Sequence, residues 1–184
     1  MAEELIDILT DDLTVIKTCL KSEAHKNGWL HPTVHIWFYT DKGDILIQKR
    51  AKNKSSFPHL WDVSVAGHIG AGEDIIISAM REIKEEIGLA VGSNKLNKIG
   101  VFREKFEHGI GHIDNEIHHI YLCALETDIS ALSIQKEELS EIQLISIDSL
   151  ETAINGADFE TIFVPHYPDY YSFVLKSIRK QICV

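Results

Sequence analysis

Cysteine is scarce: Cys19, Cys123 and Cys183 are the whole complement, far apart and odd in number. No Cys-x-x-Cys pair occurs, which leaves neither a structural zinc motif nor a disulfide framework. Three separate thiols read as reduced side chains of a cytoplasmic protein. No apolar stretch reaches about 18 residues, the length a membrane-spanning helix needs. The opening residues Met-Ala-Glu-Glu-Leu are acidic and precede no apolar run, so no secretory signal is expected. Basic residues are also few, 18 against 28 acidic, for a formal charge of -10. Such a surface disfavours nucleic acid and anionic membranes as partners. A local basic pocket for a small phosphorylated metabolite is compatible with it. There is no repeat, low-complexity tract or linker. With 184 residues, 45% of them hydrophobic, the chain suits one domain spanning 1–184 with a real core.

Hydrophobic periodicity then marks the elements. Leu5–Leu9 and Thr14–Thr18 flank Thr10-Asp11-Asp12 and read as a hairpin, with a helix as the alternative. Residues 21–28 read as connection. Val34–Tyr39 is β-rich, and Ile45–Gln48 follows a Lys42-Gly43 turn, the pattern of a second hairpin. Residues 51–58 form a polar loop ending in Pro58, and residues 60–66 a short strand. Further strands are expected over 98–106, 116–125 and 141–145, with a His- and Gly-rich loop over 108–113. Short and long C-terminal helices are expected over 149–154 and 169–183, the latter packing Tyr171, Phe173, Val174 and Ile178.

The strongest element lies between. Ile75, Ile76, Ala79, Met80, Ile83 and Ile87 recur at three- and four-residue spacings, which predicts an amphipathic helix over 74–87. Glu73 and Asp74 suit its N-terminus and Gly88 its C-cap. Glu82, Glu85 and Glu86 stand at i, i+3 and i+4, so their carboxylates share a face. Like charges so close repel unless a hard divalent cation sits among them, and oxygen-only ligands are what Mg²⁺ or Mn²⁺ takes. A solvated acidic face is the plainer alternative. Gly67, Gly70 and Gly72 supply a tight entry loop.

Gly67, Glu73 and the run from Arg81 to Leu89 resemble the complete Nudix box, residues 67–89. All fixed positions of that pattern are present. The resemblance implies an α+β fold, the Nudix α/β/α sandwich with a mixed sheet between helices. It implies metal held by Glu82, Glu85 and Glu86, with a backbone carbonyl near Gly67. Arg81 is implied to hold the loop and the acidic cluster in place. A homodimer is compatible with it.

Arg50 and Lys54 precede the box on a loop and are candidate phosphate contacts, a planar fork and a flexible point charge. Together with Phe57-Pro58-His59-Leu60-Trp61 and Gly67-His68 they resemble the isopentenyl-diphosphate isomerase branch over roughly residues 25–125. There, Arg50 and Lys54 match diphosphate contacts, and His31, His68, Asp114 and Glu116 match a metal site. Two departures point away from isomerisation. Ala66 stands where the isomerase has a proton-moving cysteine, and the box is intact where the isomerase's is degenerate. The expectation is therefore an isomerase-like Nudix hydrolase.

Ten histidines is a high number. His68 has the best positional case as a ligand, then His31, while His108 and His112 sit in a loop able to reach substrate. His25, His35, His118 and His119 carry no such assignment. Glu116 is a candidate ligand or water-activating base, with an edge ion pair as the alternative. Trp61 is a candidate substrate contact or a core residue. The expected reaction is hydrolysis of a diphosphate linkage with Mg²⁺ or Mn²⁺. Glu85, Glu86 or Glu116 would be the base, and Arg50 and Lys54 would meet the phosphate charge.

Overall fold

The computed structural model describes residues 3–182, so Met1, Ala2, Val184 and the expected Cys183 thiol lie outside it. Its centre is β3 (His31–Tyr39), buried along nearly its whole length. Such a strand is hydrophobic on both faces, and its alternating side chains divide the molecule into layers. Val34, Ile36 and Phe38 join the core cluster that holds Ala79, Ile83 and Ile87 of α2 (Ile75–Ile87). Trp37 points the other way, into the cluster containing Tyr170, Tyr171, Val174, Leu175 and Ile178 of α5 (Pro168–Ile182). The result is an α/β/α sandwich.

The sheet is mixed. β3 pairs parallel with β8 (Ile113–Ala124) and antiparallel with β4 (Asp44–Arg50) and β6 (Val65–His68). β5 (Trp61–Asp62) and β9 (Leu139–Ser146) lie against β4, and β7 (Asn97–Glu107) against β8. The N-terminal β1 (Leu5–Leu9) and β2 (Val15–Leu20) form their own antiparallel pair, as the hairpin reading expected. Cys19 and Cys123 are free thiols. Among the described residues, no helix is long and apolar enough to cross a membrane.

Several boundaries differ from the sequence expectation. Residues 21–28 are not connection: Lys21–Asn27 is α1, stopped by Gly28 at φ +62°. A seven-residue polar helix shows no periodicity on its own, and Ala24 buries in a cluster with the hairpin residues Ile6, Ile8 and Cys19, packed over by Trp29. The strand expected over 60–66 is two, because Ser64 leaves the ladder to donate to the Leu46 carbonyl and accept from the Phe38 N–H. Asp74 caps α2, accepting from the Ile76 and Ile77 N–H groups. Ser146 caps α3 (Ile147–Ile154), which starts two residues early, and α4 (Phe159–Ile162) has no sequence forecast.

Candidate functional site

One cleft of about 330 Å³ gathers most of the residues singled out by sequence. α2 supplies one wall. Glu82 and Glu86 are 8% and 4% exposed, while Glu85 sits at the solvent edge. Burial pushes the Glu82 carboxyl up to about 7, against the pull of Arg81. Glu86 is pushed well up by burial and then by Glu82 itself. Its Oε2 accepts only long bonds, from Gln48 Nε2 at 3.3 Å and the Ala66 N–H at 3.4 Å. Two buried carboxyls with so few donors suit a hard cation. A Cβ at position 67 would overlap the Glu82 carboxylate, so glycine is required for close approach.

Arg81 organises this wall. Its guanidinium donates to Glu73 Oε1 and Oε2 at 3.3 and 3.1 Å and to the His68 carbonyl at 3.0 Å. It also reaches Glu82 Oε1 at 2.8 Å and Glu85 Oε2 at 3.1 Å. Burial works to lower its pKa, but Glu73 and Glu82 outweigh it and hold the charge in place. The three glutamates therefore share a face, with Arg81 drawn between Glu82 and Glu85.

The opposite side is built by β3, β6, β8 and α1. Nε2 of His25 lies 3.1 Å from Nε2 of His68. Glu116 Oε1 lies 3.5 Å from His31 Nε2 and 3.7 Å from His68 Nε2. One ligand atom from each of these four residues falls within 4.8 Å of the others. Ligands about 2.0–2.1 Å from one ion stand roughly 2.8–3.4 Å apart at right or tetrahedral angles, so the cluster comes close to the dimensions of a coordination shell and would tighten around an ion. His31 Nδ1–H donates to the Trp29 carbonyl at 2.7 Å, which turns Nε2 toward Glu116; burial works to lower the His31 pKa, but Glu116 and the Trp29 carbonyl raise it, so an ion at Nε2 would displace a proton. Burial, with Lys21, His31 and His25 beside it, pushes His68 well below its ordinary pKa, toward the neutral ligand form. The residues present fit a divalent ion with a preference for nitrogen.

Asp114 belongs to a neighbouring cluster. Its carboxylate lies 2.8 Å from His25 Nδ1, 2.8 Å from His108 Nε2 and 3.2 Å from His112 Nε2. The loop histidines thus gather on Asp114, and His112 also meets Ser56 Oγ at 3.0 Å. At the end of β4, Arg50 Nε donates to the Ser56 carbonyl at 3.0 Å and its NH1 to Asp62 Oδ2 at 3.0 Å. Lys54 pairs with Glu138. Trp61 does not line the cleft: it packs against the α5-side core, and Lys49 Nζ stands 5.5 Å over its ring.

A buried polar floor completes the site. His166 donates through Nε2 to Asp62 Oδ1 at 3.0 Å and through Nδ1 to Glu104 Oε2 at 2.5 Å. Burial alone would lower its pKa, but these carboxylates raise it to about 9. Sequence reasoning passed over His166, Glu104 and Asp62, and left His25 and Lys21 on a supposed connection. The floor residues lie 62 and 104 positions apart, beyond any local signal.

The NUDIX domain model matches residues 29–167. An uncharacterised Nudix hydrolase of Clostridium acetobutylicum is 32% identical, over 97% of this chain and 98% of its own. An isopentenyl-diphosphate Delta-isomerase of Nocardia farcinica is 30% identical, over 66% of this chain and 69% of its own. A Deinococcus radiodurans crystal structure superposes with TM-score 0.63 at 18% identity, covering 86% of this chain and 96% of that one. At that identity it speaks for the fold. With a domain match over most of its length and a relative aligned nearly end to end, the chain belongs to the Nudix family.

Proposed function

We propose that the protein hydrolyses a diphosphate linkage in a nucleoside diphosphate derivative or similar small phosphorylated metabolite, as an isomerase-like Nudix hydrolase. The observation that carries this reading is the meeting, in one cleft, of Glu82, Glu85, Glu86, Arg50, Lys54 and Glu116. Glu82, Glu85 and Glu86, with the Gly67 carbonyl, would hold Mg²⁺ or Mn²⁺, and His25, His31, His68 and Glu116 would hold a second divalent ion. Such ions supply charge neutralisation at phosphate oxygens and acidify bound water. Arg50 and Lys54 meet the diphosphate, and Lys21 lines the same cleft. Their charges lower the cost of bringing a polyanion among so many carboxylates. Arg81 holds the acidic wall. Glu86, the more buried of the box pair, or Glu116 takes the proton from the attacking water.

The named isomerase relative favours a second reading, proton transfer on an isoprenoid diphosphate. Ala66 lines this cleft and carries no group that exchanges a proton with carbon. Product release across nucleotides, sugar nucleotides, coenzyme A and isoprenoid diphosphates, with Mg²⁺ and then Mn²⁺, tests both. Metal-dependent phosphate or monophosphate release is expected. Silence throughout would remove the hydrolase reading, and double-bond migration without hydrolysis would install the isomerase.

A further inference from the structure

The buried floor joins the two chemical ends of the cleft. Arg50 NH1 donates to Asp62 Oδ2 at 3.0 Å, and Asp62 Oδ1 accepts from His166 Nε2 at 3.0 Å. The opposite nitrogen of His166 donates to Glu104 Oε2 at 2.5 Å. Glu104 Oε2 stands 3.2 Å from His118 Nε2, and His118 Nδ1 stands 3.5 Å from Glu116 Oε2. Basic and acidic groups alternate along this line, guanidinium, carboxylate, imidazole, carboxylate, imidazole, carboxylate. Asp62, Glu104, His118 and His166 are each no more than 6% exposed. Water therefore does little to screen them, and each pair constrains the next.

His166 is the hub because both of its ring nitrogens donate to a carboxylate at hydrogen-bond distance. Its backbone is fixed as well. Val164 N–H donates to the Trp61 carbonyl at 2.8 Å, and Phe163 bridges Trp61, so the approach to α5 runs beside β5. The Tyr167 N–H donates to Glu104 Oε1. The imidazole is thereby set between the strand bearing Asp62 and the strand bearing Glu104. Without it, Asp62 would keep only Arg50 and the Val63 N–H, and Glu104 only His118 and the Tyr167 N–H, so the one side chain that ties Asp62 to Glu104 and fixes Oδ1 would be lost.

We infer that His166 is a positioning residue: it fixes Asp62, and through Asp62 the Arg50 guanidinium that receives the diphosphate. This role rests on Arg50 being a diphosphate contact, as in the proposed hydrolysis. It assigns no proton transfer and no contact with substrate to His166. Lys54 stands outside the line, since its partner is Glu138. The floor thus sets Arg50, at the end of β4, and leaves Lys54 free of it.

The test is a double-mutant cycle read by calorimetric binding of inorganic pyrophosphate with Mg²⁺, which needs no turnover. Arg50→Lys and His166→Gln should each weaken binding about tenfold, as groups in one network do, and the double variant should be no weaker than the worse single. Lys54→Gln combined with His166→Gln should instead multiply the two losses. That contrast separates aiming of Arg50 from general damage to the fold. If His166→Gln does not melt cooperatively, Asp62→Asn carries the same cycle. Multiplicative losses for the Arg50 pair, or an unchanged affinity in His166→Gln, would overturn the inference. A wild type that binds pyrophosphate yet hydrolyses no diphosphate would remove the hydrolase reading and leave the cycle to decide this one. A wild type that does not bind pyrophosphate would remove Arg50 as the clamp, and the role of His166 with it.

Discussion

At the residue scale the acidic wall is under electrostatic stress that a cation relieves. Glu82 is held near 7 in the folded protein, against 4.5 for an unperturbed glutamate, chiefly by burial. Between about pH 4.5 and 7 the folded state then binds more protons than the unfolded one, so stability falls as pH rises through that window. The metal-free protein should lose thermal stability from pH 5 to pH 7, and Glu82→Gln should flatten the loss. Saturating Mg²⁺ should flatten it too, by taking the place of the proton. A melting profile in this range that is identical in wild type and Glu82→Gln would refute the stress. Glu86 gives a second expectation. Its carboxyl is buried and weakly hydrogen-bonded, so Glu86→Gln keeps the shape and removes only an unhappy charge. Turnover should fall by two orders of magnitude or more, roughly what loss of a general base or its electrostatic equivalent costs. The melting midpoint should hold or rise. A variant with near-normal turnover would take Glu86 out of the reaction.

At the element scale, α2 was readable because its signals are local. The apolar spacing, the Asp74 cap and Gly88 at φ +71° all lie within a few residues of one another. The central strands were readable for the same reason, though β3 starts at His31 because its first residues pair with Glu116 and Ile117 of β8, far away in sequence. α1 was not readable, since its one buried apolar residue, Ala24, packs on another element. The candidate site divides along the same line. The box, Arg50 and Lys54 form local patterns; in the histidine cluster, His31, His68 and Glu116 are legible only through the family resemblance and His25 is not, because α1 and the strand register bring together residues up to 91 positions apart. Trp61 stays open in the sequence between substrate contact and core, because a strand aromatic beside a basic loop reads alike whether it faces the cleft or the core. The tightest element contact yields a further expectation. Gly67 on β6 lies against Glu82 on α2 with no room for a methyl group. Gly67→Ala must push the Glu82 side chain aside or separate strand from helix, at about 1–3 kcal/mol for overpacking. Mn²⁺ affinity should drop along with the melting midpoint. Unaltered Mn²⁺ binding by calorimetry would show that the close approach does not shape the metal wall.

At the scale of the whole molecule, two ligand sets of different chemistry face one cleft. The α2 wall offers carboxylate oxygens, which suit Mg²⁺; the β3–β6–β8 side offers three imidazoles and one carboxylate, which suit a softer ion such as Co²⁺ or Zn²⁺. They also differ in what they join. The histidine set draws on α1, β3, β6 and β8, so an ion there ties α1 to the central sheet, while an ion on the acidic wall ties α2 only to Gly67 of the adjacent β6. An ion that binds only the folded state stabilises it by about 2.7 kcal/mol at one hundred times its Kd. For a chain of this size that amounts to roughly 5–10 °C in Tm. Stoichiometric Co²⁺ should therefore raise Tm by several degrees in the wild type. His68→Gln, which removes one nitrogen and leaves every α2 carboxylate, should abolish that rise while the response to millimolar Mg²⁺ persists. The order of the two losses is the decisive feature. If His68→Gln removes the Mg²⁺ response as well, the cleft holds one shared centre; if it removes neither, the imidazoles are packed histidines and the α2 wall alone carries the metal.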